Sequence, residues 1–303
     1  VNRFSIKDLE NLTGIKAHTI RIWEQRYGIF EPKRTPTNIR YYEADDLRTA
    51  LQISLLNAYG YKISRIRQMN AEDMQGLIRK ISDNGFRQQA LSNELLEAAL
   101  SMNAAQFEQI LNEQISRLGL EATIEGPVFD FMQRVGLMWM SNHLAPAQEH
   151  IASHVIYRKL CVAIEQLPPA QDIAPVLLFL PEGEVHEISL LYVHYLLRRN
   201  GIPVLHLGAN SPLREVANVA AFCKPSHLYT HLTSLAGGAD SGKYLRRLVE
   251  AIPATPLLVS GAALKKKQPA NLPHVRYLQD LAEVREAISK LDTAPLSKTV
   301  LAD

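Results

Sequence analysis

Cysteine is nearly absent, since Cys161 and Cys223 are the only two in 303 residues. Each lies in an apolar stretch without metal-ligand spacing, which excludes a disulfide framework and a cysteine zinc site and predicts two buried structural thiols. Long apolar runs are missing as well: no segment approaches the roughly 18 residues that a membrane span needs. The start carries no charged region followed by an apolar one, so a cytosolic chain is expected. Charge of one sign is scarce overall, with a formal net charge of +2. Residues 1–70 nevertheless hold 12 Lys/Arg against 7 Asp/Glu, so that the basic surplus is concentrated at one end.

What is present is an apolar content sufficient for several cores and a length that predicts two or three domains. Helical periodicity dominates residues 5–166. It is broken at Gly14, over Gly28 to Asn38 with Pro32 and Pro36, and less sharply near Gly60, Asn84-Gly85 and Gly126-Pro127. The prolines of Gln166 to Pro175 cannot continue a helix and mark a boundary. Beyond it, strands are expected at 176–180, 203–207, 226–232 and 256–260, with helices at 187–200, 212–223, 240–252 and 280–291. This alternation predicts βαβ units forming a parallel sheet with helices on both faces. The expected domains are therefore a winged helix-turn-helix head over 1–75, a four-helix bundle over 86–166, an α/β domain over 174–292 and a loose tail over 293–303.

In the head, Lys16, His18, Thr19, Arg21 and Arg26 alternate with Ile15, Ile20, Ile22 and Trp23. A recognition helix needs this arrangement, one face polar and basic for the major groove and the other apolar against the first helix. Arg34, Arg40 and Tyr41 fall in the expected wing, where they would contact phosphates and fix register without reading sequence. The full pattern runs from Phe4-Ser5-Ile6 through Arg21-Ile22-Trp23-Glu24 and Tyr27-Gly28 to Arg40-Tyr41-Tyr42. It resembles the MerR family of transcription regulators, which implies a pseudo-palindromic double-stranded operator bound by a two-fold symmetric protein. The long dimerisation helix of many members is not evident, because Gly60 and Gly85 interrupt the pattern.

In the helical middle, Trp139 is followed ten positions later by Glu149 and then His150. His150 and His154 share a helix face, but no third ligand is apparent and a zinc site is not expected. The first strand of the sheet region ends in Pro181-Glu182-Gly183-Glu184-Val185-His186-Glu187-Ile188-Ser189. Open parallel sheets bind ligands outside the carboxyl ends of their strands, which is where His186 falls. Glu184 is placed to hydrogen-bond the ring nitrogen turned away from a ligand. Thr233-Ser234-Leu235 and Ser260-Gly261-Ala262 follow two further strands at the same edge.

Together these segments resemble the cobalamin-binding fold, with its Asp/Glu-x-His-x-x-Gly, Ser/Thr-x-Leu and Gly-Gly pattern, preceded by a helical cap. The order of head, cap and flavodoxin-like (Rossmann-type) sheet resembles the light-responsive CarH and LitR repressor group. The resemblance implies a homo-oligomeric (dimeric or tetrameric) bacterial repressor in the cytoplasm at the nucleoid, without catalytic turnover, that binds adenosylcobalamin or another cobalamin. It implies that His186 ligates the cobalt from below and that Thr233, Ser234, Leu235 and Gly261 lie beside the nucleotide tail. Trp139, Glu149 and His150 would cover the upper face. In that group light breaks the cobalt–carbon bond, the oligomer falls apart and the operator is released. Ser189 and Ala262 stand where the pattern has glycine, and Met140 stands where light-sensing members often carry histidine, with His143 about one helical turn later. The competing reading is a regulator whose sheet domain has lost the cofactor and serves as an oligomerisation or partner-binding module.

Overall fold

The computed structural model describes residues 3–81, 83–140, 145–233, 240–266 and 271–291, giving the backbone alone at 139, 140, 265 and 266. The chain divides into two compact units, Val1–Val155 and Ile156–Asp303.

The first unit opens with α1 (Ile6–Thr13) and α2 (Ala17–Tyr27). Ser5 caps α1 by accepting from the Asp8 amide while Asp8 accepts from the Ser5 amide, a reciprocal pairing that satisfies two orphan donors. Gly14 and Gly28 end these helices in left-handed conformations that glycine adopts without strain. The wing follows as β1 (Lys33–Arg34) and β2 (Arg40–Tyr41), paired antiparallel. Phe4 and Tyr42 bridge the chain start to the end of the wing, and their side chains are buried with Leu9, Ile20 and Leu47. Then come α3 (Ala44–Ala58), the single turn α4 (Ile63–Ile66) and α5 (Ala71–Lys80). Gly60, at φ 93°, lies just beyond the end of α3, so the interruption expected there is real.

The helical middle contains α6 (Asn84–Leu100), α7 (Ala104–Leu118), α8 (Leu120–Thr123), a π-helical turn over Ile124–Val128 and α9 (Phe129–Met140). Pro127 lies inside the π turn, where its missing N–H relaxes the helical ladder without ending the rod. Phe107 and Phe131 meet edge to face with ring centroids 5.3 Å apart. Arg48 of α3 is joined to Glu97 of α6 at 2.8 Å, and the Ser54 hydroxyl of α3 donates to the Thr13 carbonyl. Head and middle thus pack as one body. The helix α10 (Pro146–Glu165) leaves it and continues into the second unit.

The second unit is a five-stranded sheet built from β3 (Val176–Pro181), α11 (Ile188–Arg199), β4 (Val204–Ser211), α12 (Leu213–Cys223), β5 (His227–His231), α13 (Ser241–Ala251), β6 (Leu257–Ser260), α14 (Ala263–Lys266), β7 (Val275–Leu278) and α15 (Leu281–Ser289). All strands are parallel in the order β4-β3-β5-β6-β7. This is the flavodoxin-like order, whose direction reverses beside β3. Strand β3, flanked by β4 and β5, is buried at all six positions, as expected of a strand covered on both faces. Its core includes Leu177, Phe179, Leu228, Val259, Leu245 and Leu248.

Three expectations need correction. The fifth strand, β7, is not foreseen in the sequence, because Val-Arg-Tyr-Leu is short, carries an arginine and follows His274 in the left-handed region. Ile22 does not pack on the first helix: it is 50% exposed, whereas Ile20 and Trp23 form the packed face. The two thiols are half-buried rather than buried, although desolvation still raises the Cys161 thiol above its ordinary value.

Candidate DNA-binding and corrinoid sites

In the head, His18, Arg21 and Arg26 are exposed on α2 and Thr19 is half-buried, while Lys16 lies exposed at the N-cap. The exposed Ile22 follows Arg21 and adds an apolar group that the sequence reading had assigned to the core. Glu10 holds this end of the helix, reaching Lys16 at 3.2 Å and accepting from the Ala17 amide. At the other end Glu24, its side chain only 7% exposed, accepts from the Tyr42 hydroxyl and pairs with Arg40 at 3.4 Å. One carboxylate therefore fastens the recognition helix to the wing. Burial, reinforced by this hydrogen bond, raises the Tyr42 phenol above its ordinary range. Arg34 donates to the carbonyl and side-chain oxygens of Asn38 across the wing turn, and the Arg3 guanidinium lies 4.6 Å above the half-buried Tyr41 ring.

Of the residues expected to form the cap, Glu149 lies in the first turn of α10 and His150 directly follows it. His150 Nδ1 is 2.8 Å from Glu149, which also accepts from the Ser153 hydroxyl; the His150 side chain is mostly exposed. Trp139 lies in α9, with its side chain outside the described residues, as are His143, Ser234, Leu235 and the tail.

At the carboxyl edge of the sheet, the turn after β3 is clamped from both sides. The Gly183 amide donates to the Asn210 side chain, and the Asn210 amide donates to the Glu184 carbonyl. Glu184 is completely buried, and its carboxylate organises the turn. One oxygen accepts from the Val185 and His186 amides and lies 2.5 Å from His186 Nδ1; the other accepts from the Thr233 amide at 2.9 Å. The His186 ring, 53% exposed, is fixed so that Nε2 is the nitrogen a metal would meet. Because Thr233 follows β5 and Glu184 follows β3, this bond spans the crevice at the switch point. Ser189 is half-buried in the first turn of α11.

Gly261 is required where it stands: its φ is 120°, and a Cβ there would meet the Leu232 carbonyl oxygen at 2.2 Å. The exposed Ala262 has no such constraint. A carboxylate-backed imidazole beside a backbone cradle that a Cβ would fill fits the lower face of a corrinoid. Sequence reasoning missed one neighbour, His231, whose ring Nδ1 lies 2.7 Å from the hydroxyl of Ser260. The signal was available, since His231 ends β5, two residues before Thr233. Burial holds His231 at a pKa of about 4, with Glu184 nearby acting in the opposite direction.

Comparison with known proteins agrees with this division. Residues 4–72 match the MerR HTH family regulatory protein model, and residues 91–163 match the B12 binding domain model. The chain carries a MerR-type head. Two Myxococcus xanthus proteins are similar to this chain over most of its length. The HTH-type transcriptional repressor CarH is 27% identical over 88% of this chain and 91% of its own. The HTH-type transcriptional repressor CarA is 24% identical over 86% of this chain and 87% of its own. Among solved structures, the monomethylamine corrinoid protein of Methanosarcina barkeri aligns with a TM-score of 0.48 and 17% identity, covering 66% of this chain and 97% of that one.

Proposed function

We propose that this chain is a transcription regulator, acting as a repressor, whose hold on operator DNA is set by a bound cobalamin. The observation that carries the reading is His186, braced by the buried Glu184 at the switch point, in a chain whose head is MerR-type. His186 would hold the cobalt of a bound cobalamin, which in its adenosyl form would supply a light-sensitive bond. The chain's own part is to present His186 Nε2 in one tautomer, made more basic by the carboxylate on Nδ1. Thr233, Ser234, Leu235 and Gly261 receive the nucleotide tail, and Trp139, Glu149 and His150 cover the upper face.

In the head, His18, Thr19 and Arg21 read base edges, while Lys16, Arg26, Arg34, Arg40 and Tyr41 bind phosphates. The domains follow as 1–75 for DNA, 86–166 for the cap and 174–292 for the cofactor, with no turnover. The protein works in the cytoplasm as a dimer or tetramer whose assembly the cofactor favours. Mixing the protein with adenosylcobalamin in the dark should give a visible chromophore that survives gel filtration, and illumination should then change operator affinity. A colourless protein after filtration overturns the reading and favours a cofactor-free partner module. A coloured protein whose operator affinity ignores both cofactor and light overturns the regulatory half.

A further inference from the structure

The Glu184–His186 pair leaves three linked polar side chains unexplained, Tyr229 within β5 and His231 and Ser260 at the ends of β5 and β6. His231 ends β5 directly opposite Ser260, which ends β6. The Ser260 hydroxyl lies 2.6 Å from the Tyr229 hydroxyl and 2.7 Å from His231 Nδ1. Tyr229 is buried, and among the described residues Ser260 is its one side-chain hydrogen-bond partner. The Tyr229 proton must therefore go to Ser260, because a buried hydroxyl hydrogen without an acceptor is costly. Ser260 in turn donates to His231 Nδ1, and the proton of the neutral ring is left on Nε2. No hydrogen bond to that nitrogen is made among the described residues.

This donor stands in the ligand layer. Thr233, two residues beyond His231, is held by Glu184, and Gly261 follows Ser260. His231 lies on a strand end and is less exposed than His186, which is on the loop above. We infer that the Nε2–H of His231 donates a hydrogen bond to the nucleotide tail of a bound cobalamin, which makes His231 a determinant of corrinoid choice. The inference rests on the cobalamin reading above. The phosphate and sugar oxygens of the tail are acceptors that this N–H would meet.

The test compares adenosylcobalamin with adenosylcobinamide, which keeps the upper group and lacks the tail. Dissociation constants are read in the dark from the corrin absorption for the full chain and for His231→Leu and His231→Gln. The leucine variant should bind adenosylcobalamin about tenfold more weakly, as expected for loss of one hydrogen bond. Its affinity for adenosylcobinamide should change less than about twofold. Glutamine, which keeps an N–H at similar reach, should restore most of the preference. Ser260→Ala, which frees the tautomer without emptying the site, should shift the same ratio in the same direction. Equal losses for both corrinoids, or no loss for either, overturn the inference while leaving the cobalamin reading intact. A parent chain that binds neither corrinoid overturns both.

Discussion

The Glu184 carboxylate meets the Val185 and His186 amides and the His186 ring of its own turn, and also accepts from the Thr233 amide, which follows β5 some fifty residues later. Glu184→Ala strands the Thr233 amide and loosens the His186 ring, and should cost on the order of 2 to 4 kcal/mol of stability together with corrinoid colour. Denaturant unfolding of the unliganded protein measures the first part; a midpoint equal to that of the parent would refute it. A second residue-scale device lies away from this site. His194 of α11 and His206 of β4 place their Nδ1 atoms 3.1 Å apart. Burial, then the neighbouring ring and Arg198, lower His194 to a pKa of about 4, and burial also lowers His206, opposed by Glu187. Below pH 6.5 the unfolded chain takes up a proton that folded His194 refuses, so the stability present above 6.5 is lost as pH falls towards 4. His194→Phe should flatten that acid limb of a melting-temperature profile, whereas an unchanged limb would show that other groups set it.

Among the elements, the recognition helix and the wing share Glu24, so neither is positioned alone. Glu24→Ala should lower operator affinity more than a wing phosphate contact does, and a double variant with Arg40→Ala should be less than additive in a binding titration. Arg34→Ala should weaken specific and nonspecific DNA alike and reduce the salt slope by about one; a selective loss at the operator would reassign Arg34 to base reading. At the sheet edge, Gly261→Ala forces a Cβ onto the Leu232 carbonyl and should destabilise the fold on the order of 3 kcal/mol, read by thermal unfolding.

The legibility of these elements in the sequence followed how local their signals are. The head was readable because its caps and turns are encoded within a few residues, as at Ser5, Gly14 and Gly28. Strands β3 and β6 were readable from their apolar runs. Strand β7 was not, because its place at the edge is set by pairing with β6 rather than by its own pattern. Ile22 was misassigned because helical spacing separates faces by only 100° per residue, and the buried stripe ends between Ile20 and Trp23. The link from Glu184 to Thr233 could be guessed only through a resemblance, since no local pattern joins residues so far apart.

For the whole molecule, the boundary between compact units falls within α10, after most of the segment that matches the B12 binding domain. The MerR-type head is therefore packed in the same body as Glu149 and His150, through contacts such as Arg48–Glu97. That body should melt as one transition, with signals from the head and from α6–α9 coinciding; two separate midpoints would contradict it. The arrangement also has a meaning in mass action. If a ligand contacts Glu149 or His150 in the native state alone, as proposed, it adds RT ln(1 + [L]/Kd) to the folding free energy of the body that includes the MerR-type head, about 2.7 kcal/mol at a hundredfold excess over Kd. Cofactor supply would then act as a rheostat on the folded fraction of the head, even before any change in assembly.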